Sequence, residues 1–237
     1  MPRTPSPEAL ERHPHLGEPR QAGHVRVDFH SHTMWSGDST TTPEELVECV
    51  SASGIDVLCI TDHNAVSGAH QLEEILDCRV IVGEELKTHA GEIIGLFLSE
   101  RIPQGINPIE AAENIRDQGG LVYIPHPFDP MRNNLRLDVL DDLVARGLVD
   151  GIEVLNGKTS LRSLNRQAAE YAAQHGLAPG AGSDAHVAEA IGSVYHEMPD
   201  FDGPSEFLAA MRHGRAIGHH YDPPRRWRPR IVPSTSS

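Results

Sequence analysis

Short apolar runs alternate along this chain with segments that carry helix-start signals, and this alternation restricts the folds open to it. A capping-box pattern begins at Thr42, and a similar pattern begins at Asn107. Between such helices, residues 55–60 are almost uniformly apolar, which is typical of a parallel strand covered on both faces. About seven strand–helix units favour a closed parallel barrel. An open doubly wound sheet is the alternative, although the first turn lacks its Gly-x-Gly-x-x-Gly fingerprint.

Polar residues collect where the predicted strands end. In a β/α barrel the carboxyl ends of the strands share one face, where active sites are built. His30 and His32 follow the first strand, and in extended backbone two residues spaced this way point to the same side. Neutral imidazole is a common ligand of zinc, iron and manganese. Further polar residues follow five later strands and together predict a metal site on this rim: Asp62, His63, Glu84, Glu85, His126, Asn156, Asp184 and His186.

The composition excludes several classes of partner. The chain carries 34 acidic and 20 basic residues, a formal charge of −14, so non-specific binding to polyphosphate backbones is not expected. No apolar run approaches the ~20 residues that span a bilayer, and residues 1–22 contain no apolar stretch of a secretory signal. Cys49, Cys59 and Cys78 are isolated, which indicates buried free thiols in a reducing compartment. We therefore predict a cytoplasmic protein without membrane contact and leave the oligomeric state open.

Both ends of the chain lack the alternation of strands and helices that is predicted for its middle. Residues 1–22 contain prolines and charges and are predicted to be a flexible leader. Within them, His13 and His15 form another His-x-His pair, but Pro14 separates them and no strand precedes them, so we expect both rings to be solvated. Residues 222–237 are rich in proline and arginine without a packing pattern and are predicted to be a disordered tail. The barrel domain is then expected over residues 23–221.

Five motifs occur in a fixed order along the chain: His30-Ser31-His32, Thr61-Asp62-His63-Asn64, Gly83-Glu84-Glu85, Pro125-His126-Pro127 and Gly182-Ser183-Asp184-Ala185-His186. This set resembles the PHP (polymerase and histidinol phosphatase) family of metal-dependent phosphoesterases over residues 25–218. The resemblance implies a distorted (βα)7 TIM-like barrel with its active site at the C-terminal ends of the strands. It also implies a cluster of two or three divalent ions (Mn, Fe or Zn). Carried over residue by residue, it implies these metal ligands: His30, His32, His63, Glu85, His126, Asp184 and His186.

Two positions depart from the commonest pattern of the family. Relatives often carry Ser-Asp-Gly or a histidine shortly after the first motif, whereas this chain has Ser36-Gly37-Asp38. Asp38 is the expected ligand there, shifted by one residue. Many relatives place a histidine before an apolar strand where this chain has Glu92, which either ligates as a carboxylate or leaves an open coordination position. Asp62 is expected to orient a neighbouring ligand, as carboxylates beside metal-binding histidines often do.

The predicted chemistry is hydrolysis of a phosphomonoester or phosphodiester of a small metabolite or short nucleotide. Clustered divalent ions lower the pKa of bound water towards about 7, which makes a metal-bound hydroxide the predicted nucleophile. His63 or His186, whichever has a free ring edge, would protonate the leaving group. With Asp62, these are the predicted catalytic residues. Arg132 and Lys158 closely follow two strand ends, and each would either contact a substrate phosphate or be an exposed solubilising charge.

Two other functions are left open by the sequence. A similar metal barrel could hydrolyse an amide or a lactone, but only Lys87 and Lys158 are candidates, both weak, for a carboxylated metal-bridging lysine. The chain could instead be a non-catalytic, metal-loaded domain like the degenerate PHP domains of some polymerases. A structural domain has no need of an intact set of ligands on an open rim, which favours an enzyme.

Overall fold

The alternating segments form a mixed sheet that curves into a nearly closed barrel. The computed structural model describes residues 3–159 and 161–224. Within them the sheet has nine strands: β1 (His24–Ser31), β2 (Val57–Ile60), β3 (Arg79–Thr88), β4 (Gly91–Leu96), β5 (Leu121–Ile124), β6 (Gly151–Asn156), β7 (Ala178–Gly182), β8 (Val194–Pro199) and β9 (Arg215–Gly218). The α-helices of the same ranges are α1 (Pro7–Arg12), α2 (Pro43–Ser53), α3 (Ser67–Glu73), α4 (Pro108–Asp117), α5 (Leu137–Ala145), α6 (Arg162–His175) and α7 (Gly203–Met211).

The helix boundaries follow the sequence signals. Thr42 caps α2: its side chain accepts a hydrogen bond from the N–H of Glu45, and the carboxylate of Glu45 accepts one from the N–H of Thr42. The helix ends at Gly54, whose φ of 72° lies in the region that favours glycine. Asn107 caps α4 by accepting a hydrogen bond from the N–H of Ile109. These caps confirm the predicted helix starts.

Strand direction departs from the prediction. The order is β7-β6-β5-β4-β3-β2-β1-β8-β9, with parallel pairs β1–β2, β2–β3, β5–β6 and β6–β7. However, β4 is antiparallel to β3 and β5, and β8 is antiparallel to β1 and β9. Only His89 and Ala90 separate β3 from β4, whereas parallel neighbours need a crossover of about a dozen residues. The distorted TIM-like barrel is confirmed, but the prediction of an all-parallel sheet is wrong.

The second edge of β1 closes the barrel. Residues 24–27 pair with β8, and beyond them the chain that follows β7 approaches β1. The N–H of Asp184 donates to the carbonyl oxygen of His30 at 2.7 Å. The N–H of His32 donates to the carbonyl oxygen of Ala185 at 2.9 Å. These bonds place the segment after β7 beside the end of β1.

Apolar side chains pack on both faces of the sheet. Outside the barrel, strands and helices share one large cluster that includes Leu46, Leu58 and Ile115. A second cluster takes side chains from β1 to β5, from β7 and β8, and from α7, among them Phe29, Tyr123 and Phe207. Side chains from so many strands of one barrel can meet only in its interior. This part of the interior is therefore a packed core rather than a channel.

The prediction of a flexible leader is wrong for the described residues within it. Ser6 caps α1 by accepting a hydrogen bond from the N–H of Ala9. Ala9 and Leu16 are buried in the outer cluster. The guanidinium of Arg26, in β1, donates to the carbonyl oxygen of Leu16 at 2.8 Å. A helix cap and a few apolar side chains suffice to dock this segment because the barrel supplies the surface that buries them.

His13 and His15, predicted to be solvated, pack instead against the C-terminal part of the described chain. His13 is 1% exposed, and its Nδ1 lies 3.4 Å from Nε2 of His219. Nε2 of His13 bonds to the carbonyl oxygen of Glu189 at 2.8 Å, and Nε2 of His15 bonds to that of Gly192 at 2.9 Å. We call His13, His15 and His219 the terminal histidine cluster. The prediction was wrong because these partners lie 176 to 206 residues away in the chain.

Three further sequence predictions concern features outside the barrel. The predicted disordered tail, residues 222–237, lies outside the described residues from position 225 onward. Cys59 and Cys78 are buried free thiols, as predicted, whereas the free thiol residue Cys49 is only half-buried. Of the helices in the described ranges, none has the length and apolar character that crossing a membrane would require.

Candidate metal centre

The barrel brings the predicted ligands together at one rim. His30 and His32 are at the end of β1, and their Nε2 atoms lie 3.0 Å apart, as their spacing predicts. Glu92 lies near the start of β4, and because β4 is reversed this start is at the same rim. The other predicted ligands lie at or near strand ends and in one loop: Asp38 before α2, His63 after β2, Glu85 in β3, His126 after β5, and Asp184 and His186 after β7.

Glu85 lies at the middle of this arrangement. Its Oε2 is 3.3 Å from Nε2 of His30, 3.2 Å from Nε2 of His32 and 3.3 Å from Nδ1 of His63. Its Oε1 is 3.0 Å from Nε2 of His126. The Glu85 side chain is 2% exposed. Four imidazoles and one carboxylate thus share a space with almost no solvent contact.

Asp38 and Glu92, the two departures from the family pattern, both reach this arrangement. Oδ2 of Asp38 lies 3.0 Å from Nε2 of His186 and 3.4 Å from Nε2 of His63. Glu92 is buried, with one oxygen 3.8 Å from Nδ1 of His63 and the other 3.8 Å from Nε2 of His126. Glu92 is therefore not directed at bulk solvent, whereas the Asp38 side chain is 38% exposed but contacts both imidazoles through Oδ2.

The ligand atoms form four overlapping groups, each with its atoms within 4.8 Å of one another: His32, Asp38, His63 and His186; His30, His32 and Glu85; His30, His126 and Asp184; and His63, Glu85 and Glu92. The surroundings of His63 indicate whether a cation fits among these groups. Its buried Nδ1 has no hydrogen-bond partner in the described part of the chain, yet it faces carboxylate oxygens of Glu85 and Glu92. A cation between them would satisfy all three groups. Imidazole and carboxylate ligands suit zinc, iron and manganese, so these residues fit a cluster of divalent ions.

Burial and neighbouring charge act against each other on these groups. Burial raises the pKa of Glu85, but the charges of His30 and His63 outweigh it and hold that pKa well below its usual range. Burial lowers the pKa of His63, yet Glu85 and Asp38 raise it to about 9. The pKa of Glu92 rises to about 7 through burial and the adjacent charge of Glu85. Without metal, protons on His30 and His63 balance part of the carboxylate charge, and metal binding would release them.

Asp62 orients a loop rather than an imidazole. Its Oδ1 accepts a hydrogen bond from the N–H of Thr33, and its Oδ2 accepts one from the Thr33 hydroxyl, both at 2.6 Å. Burial raises the pKa of Asp62 to about 6 in spite of these bonds. Thr33 adjoins His32 in the chain. The link from Asp62 to His32 therefore runs through Thr33 and the backbone.

Arg132 and Lys158 lie beside the ligands in a cavity of about 160 Å³. Nζ of Lys158 is 3.3 Å from Oδ1 of Asp184 and 3.0 Å from Nδ1 of His186, and the residue is 4% exposed. Nε of Arg132 is 4.0 Å from Oδ2 of Asp184 and has no hydrogen-bond partner among the residues described. Neither cation is an exposed solubilising charge.

Glu153 was missed by the sequence reasoning. It lies in β6, is 1% exposed, and places Oε1 3.3 Å from Nδ1 of His30. The sequence does carry a signal for it, because Glu153 interrupts the apolar run of residues 152–155. A carboxylate in the middle of a buried strand requires polar partners.

Comparisons with known proteins agree with this geometry. The family model described as PHP domain matches residues 28–114, and the one described as PHP-associated matches residues 162–216. Two uncharacterized proteins of Methanocaldococcus jannaschii are similar to this chain. One is 34% identical over 199 residues, which cover 79% of each chain. The other is 39% identical over 146 residues, which cover 56% of this chain and 82% of that protein.

The fold is also found in a solved structure. A two-domain protein from Bacteroides vulgatus, which contains a predicted PHP-like metal-dependent phosphoesterase, has a TM-score of 0.68 and 21% identity to this chain. The match covers 85% of this chain and 67% of that one. At this identity the likeness shows the fold alone. With the family models and the relative that matches over most of its length, the conclusion is that this chain belongs to the PHP domain family.

Proposed function

We propose that this protein is a metal-dependent phosphoesterase that hydrolyses a phosphomonoester or phosphodiester of a small metabolite or short nucleotide. One observation carries the proposal: the imidazoles and carboxylates packed around Glu85 share a cavity with two cations, Arg132 and Lys158. Metal ions would neutralise some oxygens of a phosphate, and the two cations would bond to others. Membership of the PHP family supports a metal-dependent hydrolase.

The proposed cofactor is two or three divalent ions of manganese, iron or zinc, because the overlapping groups offer more ligands than one tetrahedral ion can use. When bound, these ions supply Lewis acidity and lower the pKa of a coordinated water towards about 7. The proposed ligands are His30, His32, Asp38, His63, Glu85, Glu92, His126, Asp184 and His186.

The other proposed roles belong to side chains of the cavity. Arg132 and Lys158 would hold the substrate phosphate. His63 is the better placed proton donor to the leaving group, since its side chain is 12% exposed, against 6% for His186. Both ring nitrogens of His186 are engaged, Nε2 with Asp38 and Nδ1 with the carbonyl oxygen of Asp184 at 2.9 Å.

Elemental analysis of the purified protein tests the metal centre. We expect two or three ions of manganese, iron or zinc per chain. Fewer than about one ion per chain, even after manganese or zinc is added, would contradict a cluster of this kind.

Turnover of a substrate panel tests the reaction on the same sample. Hydrolysis of phosphate esters that is lost in Asp184→Ala would support the proposal. Hydrolysis of amides or lactones alone would favour the first alternative, and full metal content without any turnover would favour a non-catalytic domain. Glu84→Gln is the matched control, since Glu84 is a buried carboxylate outside the ligand groups that bonds to the N–H of Ile102.

A further inference from the structure

Strand β6 contributes a buried carboxylate that is not among the proposed ligands. Oε1 of Glu153 lies 3.3 Å from Nδ1 of His30. Its Oε2 accepts hydrogen bonds from the N–H of His126 at 2.8 Å and from the side-chain amide of Asn156 at 2.9 Å. A carboxylate away from water needs such partners. All of these partners belong to the metal centre or adjoin it.

The contact with His30 determines which ring nitrogen faces the metal centre. An ionised carboxylate can only accept a hydrogen bond, so Nδ1 of His30 carries the proton. Nε2 lies on the other side of the ring and faces Nε2 of His32 at 3.0 Å and Oε2 of Glu85 at 3.3 Å. Glu153 thus holds His30 with its metal-binding nitrogen directed at the other ligands.

The contact with His126 acts on the backbone. His126 has a φ of 28°, in the left-handed region that residues other than glycine rarely adopt. By accepting the His126 N–H, Glu153 holds this residue in a conformation that its own preference does not favour. From there, Nε2 of His126 reaches Oε1 of Glu85 at 3.0 Å.

The third connection passes through Asn156. Its side-chain amide donates to Oε2 of Glu153 at 2.9 Å and to Oδ2 of Asp184 at 3.3 Å. Asp184 likewise has a positive φ, 51°. Glu153 therefore supports His30, His126 and Asp184, and these three form one of the four compact ligand groups.

We propose that Glu153 is a positioning residue for this group and, through the shared His30, for the group of His30, His32 and Glu85. It sets the tautomer of His30, the backbone of His126 and, through Asn156, the carboxylate of Asp184, so that the three side chains can hold one ion. The inference rests on the proposed metal centre and is independent of the substrate.

Titration of the metal-stripped protein with Mn²⁺ alone, followed by calorimetry, tests this role. Glu153→Gln keeps the size of the side chain and removes its charge. We expect binding through the groups that contain His30 to weaken about 10–100-fold, with the groups that lack His30 unchanged. Glu84→Gln removes an equally buried carboxylate that bonds to the N–H of Ile102, and it should bind every ion like the parent.

A second readout separates positioning from a general loss of structure. In the Zn²⁺-loaded protein labelled with ¹⁵N at histidine, NMR should show His30 with a protonated Nδ1 and a metal-bound Nε2. Glu153→Gln should alter this signature and leave the signals of His63 and His186 unchanged. If Glu153→Gln does not fold, Glu153→Asp keeps the charge but shortens the reach, and a smaller loss at the groups that contain His30 is expected.

The possible outcomes are distinguishable. Parental Mn²⁺ affinity at every site, with unchanged His30 signals in Glu153→Gln, would overturn the role of Glu153 and leave the metal centre intact. An equal loss of Mn²⁺ affinity in Glu153→Gln and Glu84→Gln would also overturn it. The loss would then follow from removing any buried carboxylate, not from the position of Glu153. A parent protein that binds neither Mn²⁺ nor Zn²⁺ would overturn the metal centre and this role together.

Discussion

The histidines at the barrel rim and those of the terminal histidine cluster are all wholly or partly withdrawn from solvent, but their ring nitrogens have different partners. At the rim, His30 and His126 lie within 3.3 Å of carboxylate oxygens of Glu85. In the terminal cluster, His13 and His15 bond to backbone carbonyl oxygens. A carbonyl oxygen accepts a hydrogen bond from a neutral ring, whereas a carboxylate also stabilises a cation, whether imidazolium or metal.

The two settings shift the pKa of imidazole in opposite directions. Burial lowers this pKa in both. For His30, the charges of Glu85, Asp184 and Glu153 outweigh burial and raise the pKa well above its ordinary value. For His13, burial prevails over the bond to a carbonyl oxygen and lowers the pKa to about 4.

His32 shows that the balance between burial and neighbouring charges, rather than the region of the molecule, decides the direction of the pKa shift. Its pKa falls well below the ordinary value through burial and the charge of His186, although Glu85 acts in the other direction. The segments His30-Ser31-His32 and His13-Pro14-His15 share a pattern but have different neighbours. The chemistry of a His-x-His pair therefore depends on the carboxylates that the fold places beside it.

The largest expected difference between the two regions is in activity. His30→Ala should lower kcat/KM for phosphate esters by at least about 10³-fold, roughly 4 kcal/mol of transition-state stabilisation, because a ligand is lost. His13→Ala should keep kcat/KM within about two-fold and lower the melting temperature instead. Steady-state kinetics and thermal unfolding check both variants. Equal losses of activity would show that the two regions are not functionally separate.

Packing should also differ between the regions. In Gly182→Ala the new Cβ would overlap the Cβ of His30 and lie 2.8 Å from Oε1 of Glu153, so we expect a loss of about 3 kcal/mol in the free energy of unfolding. In Gly17→Ala, beside the terminal cluster, the new Cβ would lie 3.3 Å from the flexible end of Leu10, and the loss should stay below about 1 kcal/mol. Urea unfolding measures both. Similar losses would mean that the rim is no more tightly packed than the leader.

The terminal cluster should make the fold sensitive to acid. The pKa of His13 falls from 6.5 to about 4 on folding, so the unfolded state binds more protons between these values. Stability present above pH 6.5 should be lost as the pH falls towards 4, by about 2 kcal/mol once screening by nearby solvent is allowed for. His13→Gln should flatten this part of the curve of unfolding free energy against pH. An unchanged slope in that variant would assign the acid sensitivity to other groups.

The smallest expected effects concern the two departures from the family pattern. Asp38→Asn and Glu92→Gln keep the side-chain shape and remove the charge, and each should lose one ion or about ten-fold in activity, roughly 1.4 kcal/mol. Glu48→Gln, an exposed carboxylate of α2, is the control. Parent-like metal content and turnover in both variants would reduce the proposed ligand set to seven residues.

The sequence by itself determined the strand–helix alternation, the capped starts of α2 and α4, and the positions of the proposed ligand side chains along the chain. These features follow from local rules: the spacing of His30 and His32 on extended backbone, the reciprocal hydrogen bonds between Thr42 and Glu45, and the apolar run of β2. Each rule operates within a few residues, so a single sequence suffices to apply it.

Only the tertiary structure decided which of these residues meet. It reversed β4, and so brought Glu92 to the rim; it docked the leader and paired His13 with His219; and it set Glu153 against His30, 123 residues away in the chain. Such contacts depend on barrel closure and on which buried groups find partners. No local pattern encodes them, because the same glutamate in a buried strand bonds to whatever donors the fold places beside it.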